Sequence, residues 1–326
     1  MEPALTVIIP TYNRPNSIKE ILSNLLFENS FNIRIEIHDS SSNDETKKIV
    51  DEIVKTNVRF KKYIFYYYYS DNIYVDDKVF YAFSNCQTKY IYLIGDGWVI
   101  NFIELNKIFN KFINTDFDVL CLLHSKNFKQ FFSLSDDEIH LDSSRQFFNN
   151  YLWYVTLYGS CITKKSIFIY TDSKDIYNKY KNSDFFYPCM IFDKLSNLTK
   201  CEIVIFKDDF ISSGHHKVAA GWTVDGRMLE IWTYKFYKTV MKLPAFYNNK
   251  EDIIYNVGIQ SRRYSLVSLL RYRYFGNLTL KLLKKHKEYI KKVTNKYSLM
   301  IMVALCPKWL LKPFYIFMAS IRHRKY

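Results

Sequence analysis

An α/β fold, with a parallel sheet flanked by helices and then a region of basic amphipathic helices, follows from three features of the 326-residue sequence. Up to about residue 125, short β-branched runs alternate with stretches of helical period, the signature of βαβ units. The apolar runs end in polar turns, several carrying an Asp, where open parallel sheets bind ligands. Charge is segregated: Asn256–Tyr326 holds 16 Lys and Arg against one acid, Glu288, so a near-neutral body precedes a basic tail.

Thr6–Pro10 (TVIIP) has the length and apolarity of a buried strand, and Thr11-Tyr12-Asn13-Arg14-Pro15 is the turn after it. A helix is predicted over Ser17–Phe27, with Ile18, Ile21, Leu22, Leu25 and Leu26 on one face. Ile33–His38 is the second strand, Asp39–Asn43 a polar turn, and Asp44–Val54 a helix. Tyr63–Tyr69 is a strand, Asp77–Ser84 a helix, and Tyr90–Ile94 a strand running into Gly95-Asp96-Gly97. Phe102–Phe112 reads as helix and Asp118–Leu123 as strand. The turns at Asp39, Asp71–Asn72 and Asp96 are thus expected at one edge of the sheet. Beyond Lys126 the period weakens: Trp153–Thr163 reads as strand, Ser166–Asn178 as helix, Ile203–Phe206 as strand and Ser212–Gly226 as a Gly/His loop. Three regions result, 1–125, 126–255 and 256–326.

Composition narrows the class. Aromatic residues make up 18% of the chain, more than a solvated, disordered polypeptide carries, and 8 Gly and 7 Pro exclude a linker-rich or collagen-like one. The 28 Tyr and 26 Phe fit a general bias toward AT-rich codons, so aromatic clusters alone are not evidence of a site. The six cysteines form no C-x-x-C pair, which argues against zinc or a redox dithiol and for buried thiols in a reducing compartment. No signal peptide is visible at the N-terminus, and a cytoplasmic location is expected.

Three segments carry a resemblance: Thr6-Val7-Ile8-Ile9-Pro10-Thr11-Tyr12-Asn13-Arg14, then Ile35-Glu36-Ile37-His38-Asp39-Ser40-Ser41-Ser42-Asn43-Asp44-Glu45-Thr46, then Tyr90-Ile91-Tyr92-Leu93-Ile94-Gly95-Asp96-Gly97. In this order the chain resembles family 2 glycosyltransferases of the GT-A fold, a Rossmann-like, mostly parallel mixed sheet. The nearest likeness is to abequosyltransferase-like enzymes of bacterial surface polysaccharide synthesis. The resemblance implies that Asp39 hydrogen-bonds the nucleobase or ribose. It also implies that Pro10, Thr11, Tyr12 and Asn13 line the nucleotide pocket with Asp76, and that Asp96 is the carboxylate beside the diphosphate and its metal. On residue type alone, each Asp also suits a helix cap or Asx-turn.

A diphosphate leaving group gains charge as the glycosidic bond breaks, and a carboxylate-held Mn²⁺ or Mg²⁺ meets that charge as a Lewis acid. Here the family's D-x-D pattern ends in Trp98, which ligates no metal. Either a further ligand comes from His215 or His216, or metal binding is weak or absent. An inverting transferase also needs a base for the acceptor hydroxyl. Asp184, in Asn182-Ser183-Asp184-Phe185-Phe186, is the first candidate, with Asp172 and Asp175 behind it. Asp184 equally suits a helix N-cap.

In the tail, Arg262-Arg263-Tyr264, Arg271-Tyr272-Arg273-Tyr274 and Lys281–Lys292 interleave charge with apolar residues. Ser298–Ile321 is apolar but broken by Pro307, Lys308, Lys312 and Pro313, which suits interfacial rather than spanning helices. Trp309 and Phe314 would insert while Lys and Arg meet anionic headgroups. The expectation is an inverting transferase at the inner face of the cell membrane. It would move a sugar from a nucleotide-sugar, UDP-linked in the first instance, to a lipid-linked surface glycan. An inactive GT-A scaffold is the alternative. Nucleic-acid binding by the tail is a weaker one, since no recognised nucleic-acid motif accompanies it.

Overall fold

The computed structural model describes residues 3–25, 33–56, 58–70, 73–124, 137–168, 173–208, 210–214, 227–307, 309–311 and 313. The chain divides into two units, the first of Met1–Asn182 with Phe186–Lys217 and the second of Ser183–Phe185 with Val218–Tyr326.

The first unit holds an eight-stranded mixed sheet. The strands of this unit are β1 (Leu5–Thr11), β2 (Ile33–Asp39), β3 (Ile64–Tyr68), β4 (Tyr90–Leu93), β5 (Trp98–Ile100), β6 (Val119–His124), β7 (Glu138–Leu141), β8 (Cys161–Lys164), β9 (Ile203–Asp208) and β10 (Ile211–Ser213). The sheet order is β3-β2-β1-β4-β8-β6-β9-β7, while β5 and β10 form a separate antiparallel pair. Strand β1 is parallel to β2 and β4, with Leu5 opposite Ile33 and Tyr90, and Thr11 opposite Asp39. Every residue of β1 is buried, as befits a central strand covered on both faces. Strand β8 runs antiparallel to β4 and β6, and β7 antiparallel to β9, which makes the sheet mixed.

Helices α1 (Pro15–Ser23), α2 (Glu45–Thr56), α3 (Val75–Asn85) and α4 (Phe102–Phe112) follow β1, β2, β3 and β5. Pro15 stands at the start of α1, where its missing N–H costs nothing. Asn101 caps α4, its side-chain oxygen accepting from the Ile103 and Glu104 amides at 3.2 Å each.

The middle of the chain corrects the sequence reading. Trp153–Thr163 is not one strand: helix α5 (Ser144–Val155) runs through Trp153, and β8 begins only at Cys161. Phe147, Phe148, Tyr151, Leu152 and Val155 recur at helical spacing and are buried, and Ser143 caps the helix. Aromatic strand propensity yields here to helical packing. Ser166–Asn178 is a 3₁₀ turn at Lys165–Ile167 and then helix α6 (Ser173–Tyr180). Helix α7 (Phe186–Leu195) has all ten residues buried and so shows no amphipathic period.

In the second unit a π-helical stretch, Glu230–Lys235, leads into α8 (Phe236–Met241), followed by α9 (Lys250–Gln260), α10 (Leu266–Tyr274), α11 (Leu280–Val293) and α12 (Tyr297–Leu305). Trp232 packs edge-on against Phe185 with ring centroids 4.9 Å apart, and the Arg263 guanidinium lies 3.2 Å from the Trp232 centroid. Burial lowers the Arg263 pKa to about 10. On α11, Leu283, His286, Ile290 and Val293 are buried and the lysines lie elsewhere, the expected amphipathic arrangement. Gly258 of α9 meets α11 closely: a Cβ there would fall 1.9 Å from the Val293 carbonyl oxygen. Among the described residues no helix is long and apolar enough to cross a membrane.

Candidate active site

Because β1, β2 and β4 are adjacent and parallel, their carboxyl ends, at Thr11, Asp39 and Leu93, open on one edge of the sheet. The turns after β1 and β2 are tied together. Asn13, at φ 52°, is left-handed, a conformation Asn tolerates better than most residues. Its amide donates to Ser41 Oγ at 2.8 Å, and its side-chain oxygen accepts from the Ser42 amide at 3.0 Å and the Ser42 hydroxyl at 3.2 Å. The Ser40 amide donates to the Thr11 carbonyl at 3.3 Å.

Asp39 is fully buried. One oxygen accepts from the Ser41 amide at 2.8 Å and the Ser41 hydroxyl at 2.5 Å, the other from the Tyr66 hydroxyl at 2.8 Å. Burial, reinforced by this bond, pushes the Tyr66 pKa up, so the phenol stays a donor. The carboxylate of Asp39 thereby shapes the turn from within.

Beside these turns lies a pocket of about 320 Å³ lined by Pro10, Thr11, Tyr12, Arg14, Ser40, Ile73, Val75, Lys78 and Asp96. Asp96 has both oxygens engaged: Thr11 Oγ1 donates to one at 2.9 Å and an Arg14 guanidinium nitrogen to the other at 2.7 Å. Burial raises the Asp96 pKa, while Arg14, Thr11 and Lys78 oppose the rise. Lys78 is only 3% exposed. Its Nζ donates to the Thr11 carbonyl and to Ser40 Oγ, each at 2.7 Å. Burial lowers its pKa to about 8, against the pull of Asp39 and Asp96.

Of the residues singled out in the sequence, Pro10, Thr11, Tyr12 and Asp96 line this pocket, while Asn13 and Asp39 hold its turns. Asp76 is buried in the first turn of α3 and is not among the lining residues. Arg14, Ser40 and Lys78 line the pocket as well, and the sequence motifs give these three no role of their own. Lys78 had a legible signal: it sits with Val75, Val79, Ala82 and Phe83 on one helical stripe, where a lysine is out of place in a purely structural face.

Asp184 lies in the second unit, at φ 65°, two residues after Asn182 at φ 60°. Its carboxylate accepts from Lys235 Nζ at 2.6 Å. Asp175 is in the first turn of α6. Asp172, His215, His216, Asp71–Asn72, Leu26–Phe27 and Phe314 lie outside the described residues.

Among the described residues, the donor set around Asp96 does not suit a divalent cation. Among the described residues no three His, Cys, Asp or Glu side chains come together to hold one. Asp96 already carries Arg14 and Thr11, and Trp98, at the start of β5, occupies the position of the second acid.

The model of a family described as glycosyl transferase family 2 matches residues 6–190. No curated protein sequence matches the chain. Among solved structures, residues 1–349 of S. aureus TarS are similar at 12% identity, with 95% of this chain and 90% of that one covered and a TM-score of 0.54. The same TarS fragment in complex with UDP-GlcNAc is similar at 13% identity, over 91% of this chain and 83% of that one, with a TM-score of 0.52. Against the longer TarS chain the identity is 13%, the coverage 91% of this chain and 50% of that one, and the TM-score 0.52.

Proposed function

Starting from the fact that the chain belongs to glycosyl transferase family 2 and has the GT-A fold, we propose that it is an inverting transferase. It takes a sugar from a nucleotide donor and passes it to a lipid-linked glycan of the bacterial cell surface. The observation that carries this reading is the pocket at the ends of β1 and β2, where Arg14 and Lys78 present cations and Asp96 a carboxylate. A nucleoside diphosphate needs such a polar cleft. UDP-sugars head the list of donors because TarS, of the same fold, has been solved with UDP-GlcNAc.

In this reading residues 1–125 hold the donor, 126–255 the acceptor, and 256–326 the membrane surface. The acceptor hydroxyl oxygen bonds to the anomeric carbon as the bond from that carbon to the phosphate oxygen breaks. The nucleoside diphosphate leaves, and the hydroxyl proton goes to a carboxylate, for which Asp184 is the candidate. Membrane association is supported by exposed apolar side chains in the basic region: Leu266, Val267, Met302, Leu305 and Trp309 are exposed. Such residues insert at a lipid interface while Lys and Arg meet headgroups.

The test incubates the purified chain with nucleotide-sugars and a lipid-linked oligosaccharide. Donor-dependent extension of the lipid supports the reading. A chain that binds donor yet neither transfers nor hydrolyses it is instead the inactive scaffold, a second reading that Trp98 favours. Flotation with anionic vesicles, lost in a Met302→Asp/Leu305→Asp variant, tests the membrane part; equal flotation of both would overturn it.

A further inference from the structure

We infer that this chain binds the donor's diphosphate with two of its own cations, Arg14 and Lys78, in place of a divalent metal ion. The inference rests on the donor-site reading above and specifies how that site works. Three observations carry it. First, Asp96 is already neutralised from within the pocket. Arg14 stands 2.7 Å from one oxygen and Thr11 Oγ1 2.9 Å from the other, so a metal ion at Asp96 would have to displace a guanidinium. Second, Trp98 removes the neighbouring carboxylate that would make such a displacement worthwhile: one carboxylate is a weak claim on a cation that seeks several oxygen ligands.

Third, Lys78 is held where a phosphate would meet it. Its Nζ is tethered by the Thr11 carbonyl and Ser40 Oγ at 2.7 Å each, and an ammonium has a third N–H to offer. Thr11, Arg14, Ser40, Lys78 and Asp96 all line the same pocket. A buried lysine on the apolar stripe of α3, with no ionic partner within hydrogen-bond distance among the described residues, is stabilised by an anion that enters the pocket. Arg14 suits the same anion, because its planar fork can hold Asp96 with one edge and a phosphate with another. With Asp96 counted, the pocket lining carries a net positive charge, and a diphosphate brings the complementary negative charge.

The experiment is a calorimetric titration of the full chain with UDP, GDP, CDP, ADP and dTDP, and with the matching monophosphates. Each is run in EDTA and again with Mn²⁺. One diphosphate is expected to bind in EDTA with an affinity within threefold of that in Mn²⁺. Arg14→Gln and Lys78→Met should each weaken it at least tenfold while changing monophosphate binding far less, a selectivity that a general loss of fold would not produce. Lys78→Arg, which restores a cation, should recover most of the loss. If Arg14→Gln does not fold, Lys78→Met and its arginine rescue carry the test. Diphosphate binding that appears only with Mn²⁺ overturns the inference and leaves the transferase reading standing. So does an affinity within threefold of wild type in both variants. If no diphosphate binds in either condition, the donor-site reading fails and the inference falls with it.

Discussion

Replacing Lys78 by Met separates stability from ligand binding. The folded chain holds this ammonium at a pKa of about 8 against an ordinary 10.5, so keeping it charged at pH 7 carries a penalty of about 3 kcal/mol. At 3% exposure the side chain is shielded enough for that conversion to hold to order of magnitude. Met keeps the apolar stem and removes the charge. It also removes the bonds to the Thr11 carbonyl and Ser40 Oγ, together worth about 1–2 kcal/mol. The Thr11 carbonyl still accepts from the Ser40 amide. The variant should therefore be about 1–2 kcal/mol more stable at pH 7, a rise of roughly 2–4 °C per kcal/mol in Tm for a unit of this size. The sign depends on pH. Between pH 8 and 10.5 the unfolded chain keeps a proton that the folded chain has lost, so wild-type stability climbs through this window and the variant's does not. Near pH 10 the order should reverse. Thermal melts of both proteins at pH 7, 8.5 and 10 read this directly. A variant less stable than wild type by more than about 1 kcal/mol at all three pH values would refute the reasoning, since hydrogen bonding would then outweigh burial.

The same residue sets the pH response of binding. Diphosphate affinity should be level below pH 8 and fall by up to about tenfold per pH unit above it, while Lys78→Arg holds its affinity to higher pH; titrations from pH 6.5 to 9.5 decide this. Gly258→Ala should cost about 1–3 kcal/mol in urea unfolding, because the new methyl lands 1.9 Å from a backbone carbonyl on α11 that must move. Asp184→Asn keeps a residue at ease at φ 65°, so the circular dichroism spectrum and donor binding should be unchanged while transfer falls by about 10²-fold or more. Transfer within a few-fold of wild type would remove Asp184 from the role of base.

What was legible in the sequence follows from how each element is buried. Strand β1 is covered on both faces, so its apolar run stands out, and the turn after it inherits that certainty. Helix α11 buries one face only, and its 3–4 spacing of Leu283, His286, Ile290 and Val293 is plain. Helix α7, buried all round, offers no contrast to read, and β5 and β10, three residues each, are too short for any period. The site shows the same divide. Its turns belong to local motifs, whereas the pairing of Arg14 with Asp96 spans 82 positions and exists only once β1 and β4 lie side by side. Asp39 is the instructive case. Its place at the strand end was evident, but its bonds to Ser41 and to Tyr66, 27 positions away, were not.

The lacing of Asn13 to Ser41 and Ser42, and of Lys78 to Thr11 and Ser40, bears on how quickly and how selectively a ligand is captured. Ordering a free side chain at a binding surface costs roughly 0.5–1.5 kcal/mol, and here much of that ordering is complete before any ligand arrives. The mould is cast in the empty protein. A nucleotide that fits meets walls already in position, and one that does not finds no slack to accommodate it. Cutting one of these laces, such as the Asn13 side chain, would therefore loosen discrimination among nucleotides before it loosened the fold.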